Sequence, residues 1–142
     1  AAPDEPLPTS SDGIGDGQGL RVLVVDDNLD ACDMLATVLR MNKYTVETAS
    51  CGLGALDAAN RWSPDVVLLD IGLPEIDGFE VARRLRAEPK TMNIKLVAVS
   101  GYGTEKDIQL GREAGFDAHL VKPIDLDELQ ELLAGWKPPL RD

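Results

Sequence analysis

Short apolar runs and longer amphipathic segments take turns along this chain. Residues 21–25 read RVLVV and residues 65–69 read DVVLL, both nearly solid strand formers. Residues 94–99 and 118–121 are similar, while 44–48 is a short segment of alternating character. Between these runs the period changes. Residues 29–41 carry Met34, Leu35, Val38, Leu39 and Met41 at helical spacing. Residues 52–62 predict an Ala-rich helix, 78–87 a helix with Phe79, Ala82 and Leu85 on one face, and 104–114 a polar helix stopped by Gly115. A last helix starts at Asp125, with Glu128 three residues on as in a capping box, and stripes Leu126, Leu129, Leu133 and Trp136. Five strands thus alternate with five helices. Strands without a polar side need cover on both faces, which predicts an α/β fold: a parallel five-stranded sheet, doubly wound, with helices on both faces.

In such sheets the working site lies beyond the carboxyl ends of the strands. Asp26 and Asp27 follow the first strand and Asp70 the third. Ser100 ends the fourth, with Gly101 next, and Lys122 and Pro123 follow the fifth. Three carboxylates in one pocket cannot all stay ionised without a counter-charge. A hard cation resolves the conflict: Mg²⁺ takes a few carboxylates, keeps waters and shares its shell with phosphate, with Mn²⁺ as the alternative ion. Lys122 supplies a point charge for a phosphoryl oxygen, and the Ser100 hydroxyl and Gly101 N–H are donors to others. Asp70, central among them, suits a nucleophile that forms an aspartyl-phosphate.

The formal charge of −11 over 142 residues argues against direct nucleic-acid binding. Cys32 and Cys51 have no metal-type spacing and are expected as two reduced, partly buried thiols. No apolar run is long enough to cross a membrane, so no direct membrane contact is expected, and no signal-peptide pattern opens the chain. Residues 1–19, rich in Pro, Gly and acids, read as a linker or tail, 20–137 as the folded domain and 138–142 as a C-terminal tail.

Four motifs in order, VLVVDDN, DVVLLDIGLPEIDGFE, VAVSGYG and HLVKPID, resemble the receiver domain of the bacterial two-component response-regulator family. The resemblance covers Leu20 to about Trp136 and implies a flavodoxin-like (βα)₅ fold. It further implies that Asp70 accepts a phosphoryl group from the phosphohistidine of a histidine kinase or of a histidine phosphotransfer protein. Asp26, Asp27, the Asp70 side chain and the Gly72 backbone carbonyl would hold Mg²⁺. Lys122 would pair with the phosphate, and Ser100 would be the switch hydroxyl. Lys122–Pro123 would be a cis peptide. His119, the sole histidine, stands where the family usually has an aromatic switch residue; it reads equally as an exposed polar residue at a strand start. Gly72 and Tyr102 occupy places that tune dephosphorylation. The expected output is a phosphorylation-biased surface built from the fourth helix, fifth strand and fifth helix, which could also pair two copies in a homodimer.

Such a chain catalyses its own phosphorylation and hydrolysis without being a turnover enzyme. The tail and the missing initiator Met suggest a receiver behind a hybrid sensor kinase, with a stand-alone regulator as the alternative; either is expected in the cytoplasm, the former as the cytosolic part of a membrane-anchored kinase. No output domain is expected after Trp136. The rival from another class is a pseudo-receiver, an interaction module that works without phosphate. A calcium loop starting at Asp26 fails, since Ala31 and Thr37 stand where Gly and Glu are needed. A flavin site would need a phosphate loop after the first strand, where this chain has carboxylates. An aspartyl phosphatase would need an aspartate two residues beyond its nucleophile, where Asn28 and Leu29 stand. Arg83, Arg84 and Arg86 read as the solvated face of a helix, and Trp62 and Trp136 as packing residues near helix ends.

Overall fold

The computed structural model describes residues 19–136. Apart from Gly19, the expected N-terminal tail lies outside the described residues, as do residue 137 and the expected C-terminal tail. Ten elements alternate: β1 (Arg21–Val25), α1 (Leu29–Met41), β2 (Thr45–Ala49), α2 (Gly52–Trp62), β3 (Val66–Asp70), α3 (Gly78–Ala87), β4 (Lys95–Ser100), α4 (Glu105–Ala114), β5 (Ala118–Val121) and α5 (Leu126–Ala134). The strands form one sheet in the order β2-β1-β3-β4-β5, and every neighbouring pair is parallel. This is the doubly wound arrangement expected, with the winding reversing between β1 and β3.

Alternation along each strand divides the core into two. Val22, Val24, Leu68, Val97 and Leu120 pack with Leu39 of α1 and Leu129 and Leu133 of α5. Leu23, Val25, Leu69 and Leu96 pack on the other face with Ala58 of α2, Leu85 of α3 and Ala114 of α4. Both faces of β1 and β3 are buried, which is why their sequences show no polar period.

The element ends differ from the sequence expectation in ways that hydrogen bonding explains. Tyr44 lies ahead of β2, because its N–H donates to the Leu39 carbonyl and closes the end of α1. Thr104 and Asp125 are caps rather than helical residues: Thr104 Oγ1 accepts the Asp107 N–H, and an Asp125 carboxylate oxygen accepts those of Asp127 and Glu128. Asp65 precedes β3 and accepts the Arg21 N–H at 2.8 Å. Trp136 lies past the end of α5 and packs on the core from there.

Gly78 opens α3 where the helix meets the end of β3. A Cβ there would stand 2.6 Å from Ile71 Cα and 2.7 Å from the Asp70 carbonyl oxygen. Only a residue without a side chain lets α3 begin this close to the strand that carries Asp70.

Candidate functional site

The reversal between β1 and β3 leaves a crevice at the carboxyl edge of the sheet, and the strands carry acids into it. Val25 is in register with Leu69, so Asp26 and Asp70 are the next positions along two adjacent strands. Carboxylate oxygens of Asp26, Asp27 and Asp70 lie within 4.8 Å of one another. Asp26 and Asp70 are buried and Asp27 is exposed.

Each buried carboxylate is held from two sides. Asp70 Oδ1 accepts the Gly72 N–H at 2.8 Å, and Oδ2 accepts from Lys122 Nζ at 2.9 Å. Asp26 Oδ1 accepts the Asn28 N–H at 2.9 Å, while its other oxygen stands 3.3 Å from Lys122 Nζ. Asn28 in turn caps α1, accepting the Ala31 N–H through its side chain. Burial pulls the Lys122 pKa down, but the bonds and charges of Asp70 and Asp26 outweigh it and leave it raised. One ammonium against three carboxylates leaves the crevice two negative charges in excess, and such an all-oxygen donor set fits a hard divalent ion.

Lys122 reaches this point because β5 runs beside β4. The Lys122 N–H donates to the Ser100 carbonyl at 2.8 Å, and the Lys122–Pro123 bond is cis. Gly101 is exposed, with nothing within 4 Å of where its Cβ would be. Tyr102 is exposed too. Gly72 sits above Asp70, where a Cβ would meet Asp70 Oδ1 at 3.4 Å.

Ser100 is buried at the end of β4, and its hydroxyl oxygen accepts the Gly103 N–H at 3.0 Å. It also lies 2.7 Å from His119 Nε2, across the β4–β5 pair. His119 is therefore half-buried and engaged with Ser100, not an exposed polar residue at a strand start. Burial lowers its pKa, and the Asp107 charge opposes that only in part. Its Nδ1 is buried with no partner among the described residues. No sequence pattern announces this contact, because it depends on which rotamers two neighbouring strands allow.

Arg86 does not lie on a solvated helix face. Its guanidinium donates to the carbonyls of Met92, Ile94 and Gly115 and to the Asp117 carboxylate. Arg83 and Arg84 are exposed and pair with Glu80 on their own helix. Cys32 is buried and Cys51 partly so, and both are free thiols. Burial pushes the Cys32 thiol pKa up, and the Asp26 charge adds to this. No described helix is long and apolar enough to cross a membrane.

An apolar groove of about 290 Å³ opens beside the carboxylates, between α1 and the segment entering α5. Met34, Leu35, Val38, Ile124 and Leu126 line it, together with Asp26 and Lys122.

Residues 22–134 match the family model of the response regulator receiver domain. The chain is 33% identical over 118 residues to sporulation initiation phosphotransferase F of Bacillus subtilis strain 168, an alignment spanning 83% of this chain and 94% of that protein. It is 40% identical over 105 residues to response regulator PleD of Caulobacter vibrioides, covering 74% of this chain and 23% of PleD. A similar solved structure is the receiver domain of sensor histidine kinase PA1611 from Pseudomonas aeruginosa PAO1, described with a magnesium ion coordinated in its active site cleft. It has a TM-score of 0.77 and 30% identity, covering 83% of this chain and 97% of that one. This chain belongs to the response regulator receiver domain family and is a receiver of two-component signalling, a class that works with histidine kinases or phosphotransfer proteins. It spans nearly all of phosphotransferase F but only 45% of the regulator RpaA of Synechocystis sp. PCC 6803.

Proposed function

We propose that Asp70 is the phosphoacceptor of a switch and that its phosphate is read out through the α4–β5–α5 surface. The observation that supports this best is the Asp70 carboxylate itself: it is buried, held by the Gly72 N–H and the Lys122 ammonium, and within 4.8 Å of two further carboxylates. That arrangement fixes one carboxylate oxygen in a crevice of strong charge, which is most of what phosphoryl transfer asks of a protein. An Asp70 oxygen forms the new O–P bond as the P–N bond to the donor imidazole breaks, the electron pair leaving with that nitrogen. Lys122 neutralises charge on the arriving phosphoryl oxygens. The Ser100 hydroxyl and the Gly101 N–H donate to others, so that Ser100 is drawn toward Asp70.

Asp26, Asp27, Asp70 and the Gly72 carbonyl would hold Mg²⁺, or Mn²⁺ in its place, and the bound ion offsets the negative charge of the carboxylates and the phosphoryl group. The groove between α1 and α5 takes the donor, a helix of a histidine kinase or histidine phosphotransfer protein presenting its phosphohistidine. We place the chain in the cytoplasm, as a receiver of a hybrid kinase or a free-standing regulator. Two copies would pair through α4–β5–α5. With a net charge of −11 the chain has no electrostatic pull on nucleic acid.

The test is intact mass after incubation with acetyl phosphate and Mg²⁺, beside Asp70→Asn and an EDTA control. A gain of roughly 80 Da, one phosphoryl group on a carboxylate nucleophile, is expected in wild type alone. If the variant gains the same mass, Asp70 is not the acceptor.

A further inference from the structure

We propose that His119 is the positioning residue of the Ser100 hydroxyl and that protonation of its imidazole frees this hydroxyl to bond the phosphoryl group on Asp70. The proposal rests on reading Ser100 as the switch hydroxyl.

Ser100 Oγ has two partners, the Gly103 N–H at 3.0 Å and His119 Nε2 at 2.7 Å. The first can only donate. Gly103 has φ +62, and a Cβ on it would lie 2.4 Å from Val121 Cγ2, so this N–H is delivered by a turn packed tightly on β5. The second contact runs in either direction, depending on the ring's protons.

If neutral His119 carries its proton on Nδ1, then Nε2 accepts the Ser100 O–H, and a single buried hydrogen, on Nδ1, lacks a partner. If it carries the proton on Nε2, both Nδ1 and the serine hydrogen are left without one. Fewer orphaned groups favour the first form, because each buried polar atom without a partner costs free energy. In the resting protein the hydroxyl hydrogen is thus committed to the ring, away from Asp70.

A proton on Nε2 reverses the same contact. The imidazolium donates to Ser100 Oγ, and the hydroxyl hydrogen has no acceptor until a phosphoryl oxygen arrives. Proton binding therefore favours the phosphorylated arrangement. By reciprocity, phosphorylation tightens proton binding.

The surrounding charges leave the ring free to change state. The Asp107 charge of α4 acts on it, and Arg112 of α4 lines with His119 a cavity of about 130 Å³. Asp117, also lining that cavity, is neutralised by Arg86 from α3. Lys122, three residues along, is paired with Asp70 and Asp26. Burial outweighs the pull of Asp107, so the resting ring is neutral at neutral pH.

The sole histidine makes the test direct, since its imidazole signals in a proton NMR titration of the full chain are unambiguous. Beryllofluoride with Mg²⁺ serves as the phosphoryl probe. The titration midpoint of His119 is expected to rise on beryllofluoride binding. It should also move in the free Ser100→Ala variant, which removes the partner of Nε2 in both protonation states. Beryllofluoride affinity at pH 6 relative to pH 8 should be greater in wild type than in His119→Phe by about fivefold, the low end of common coupling factors. An unmoved midpoint in Ser100→Ala overturns the latch whether or not beryllofluoride binds. So do superimposable affinity profiles of wild type and His119→Phe. Absence of beryllofluoride binding at every pH, with the Ser100→Ala shift present, overturns instead the phosphoacceptor reading.

Discussion

Lys122 is the cation that Asp26 and Asp70 share, and the balance of the crevice turns on it. Its raised pKa means that, while the carboxylates are ionised, this pairing stabilises the fold below the ordinary lysine value and is lost as pH climbs through the raised one. Replacing it with Met leaves two buried carboxylates beside each other without a counter-charge. In the absence of metal, Lys122→Met should lose about 1–3 kcal/mol, the common cost of an orphaned buried partner. Saturating Mg²⁺ should then raise the melting temperature of the variant by more than it raises that of wild type. Equal rises in the two proteins would show that the lysine and the ion do not serve the same carboxylates. His119 gives the opposite pH dependence. Its pKa is lowered by burial against the pull of Asp107, so the unfolded chain binds more protons, and stability falls as pH drops below the ordinary histidine value of about 6.5. In urea titrations between pH 5 and 8, His119→Phe should lack this part of the acid loss. A wild-type curve parallel to that of the variant over the whole range would show that His119 titrates alike in the folded and unfolded chain. The acids, the serine and the lysine were legible because each follows a run of strand formers. The Ser100–His119 bond was not, since its partners are nineteen residues apart and only sheet pairing makes them neighbours.

At the scale of elements, α3 is placed by two residues of different kinds. Gly78 lets its first turn meet the backbone of β3, and Gly78→Ala forces a Cβ to 2.6 Å from Ile71 Cα. A loss of about 1–3 kcal/mol, typical of overpacking, should appear as a lower urea midpoint at unchanged slope. An unchanged midpoint would mean that the α3 start yields freely. Arg86 fixes the other end, joining α3 to the strand entry at Ile94 and to the turn at Gly115 that follows α4. Arg86→Met keeps the stem but strands these carbonyls, and should cost about 2 kcal/mol. It should also speed amide exchange around residues 115–118 ahead of the core strands. Uniform exchange across the chain would contradict this. The sequence grouped Arg86 with Arg83 and Arg84 because a helix pattern records period alone. It cannot show that a loop of carbonyls closes over one of three arginines. The strands were easier to read: β1 and β3, buried on both faces, write their position directly into composition, whereas Tyr44 mimics a strand residue while its N–H serves α1.

Across the whole molecule, one topological feature organises both core and site. Reversal of the winding between β1 and β3 puts α1 and α5 on one face and α2, α3 and α4 on the other, and it brings Asp26 and Asp70 together at the carboxyl edge. β4 and β5 then present Ser100 and Lys122 along the same edge, Lys122 bonded to Asp70 and Ser100 to His119, so that a charge change at Asp70 would reach the strand carrying His119. That change, we propose, is a phosphoryl group on Asp70. Borohydride reduction of the acetyl phosphate-treated chain converts an aspartyl-phosphate to homoserine, and peptide fragmentation then reads its position. Homoserine at position 70, absent without Mg²⁺, is the predicted result. Homoserine at Asp26 or Asp27, or a phosphoryl mass gain with no homoserine anywhere, would contradict it.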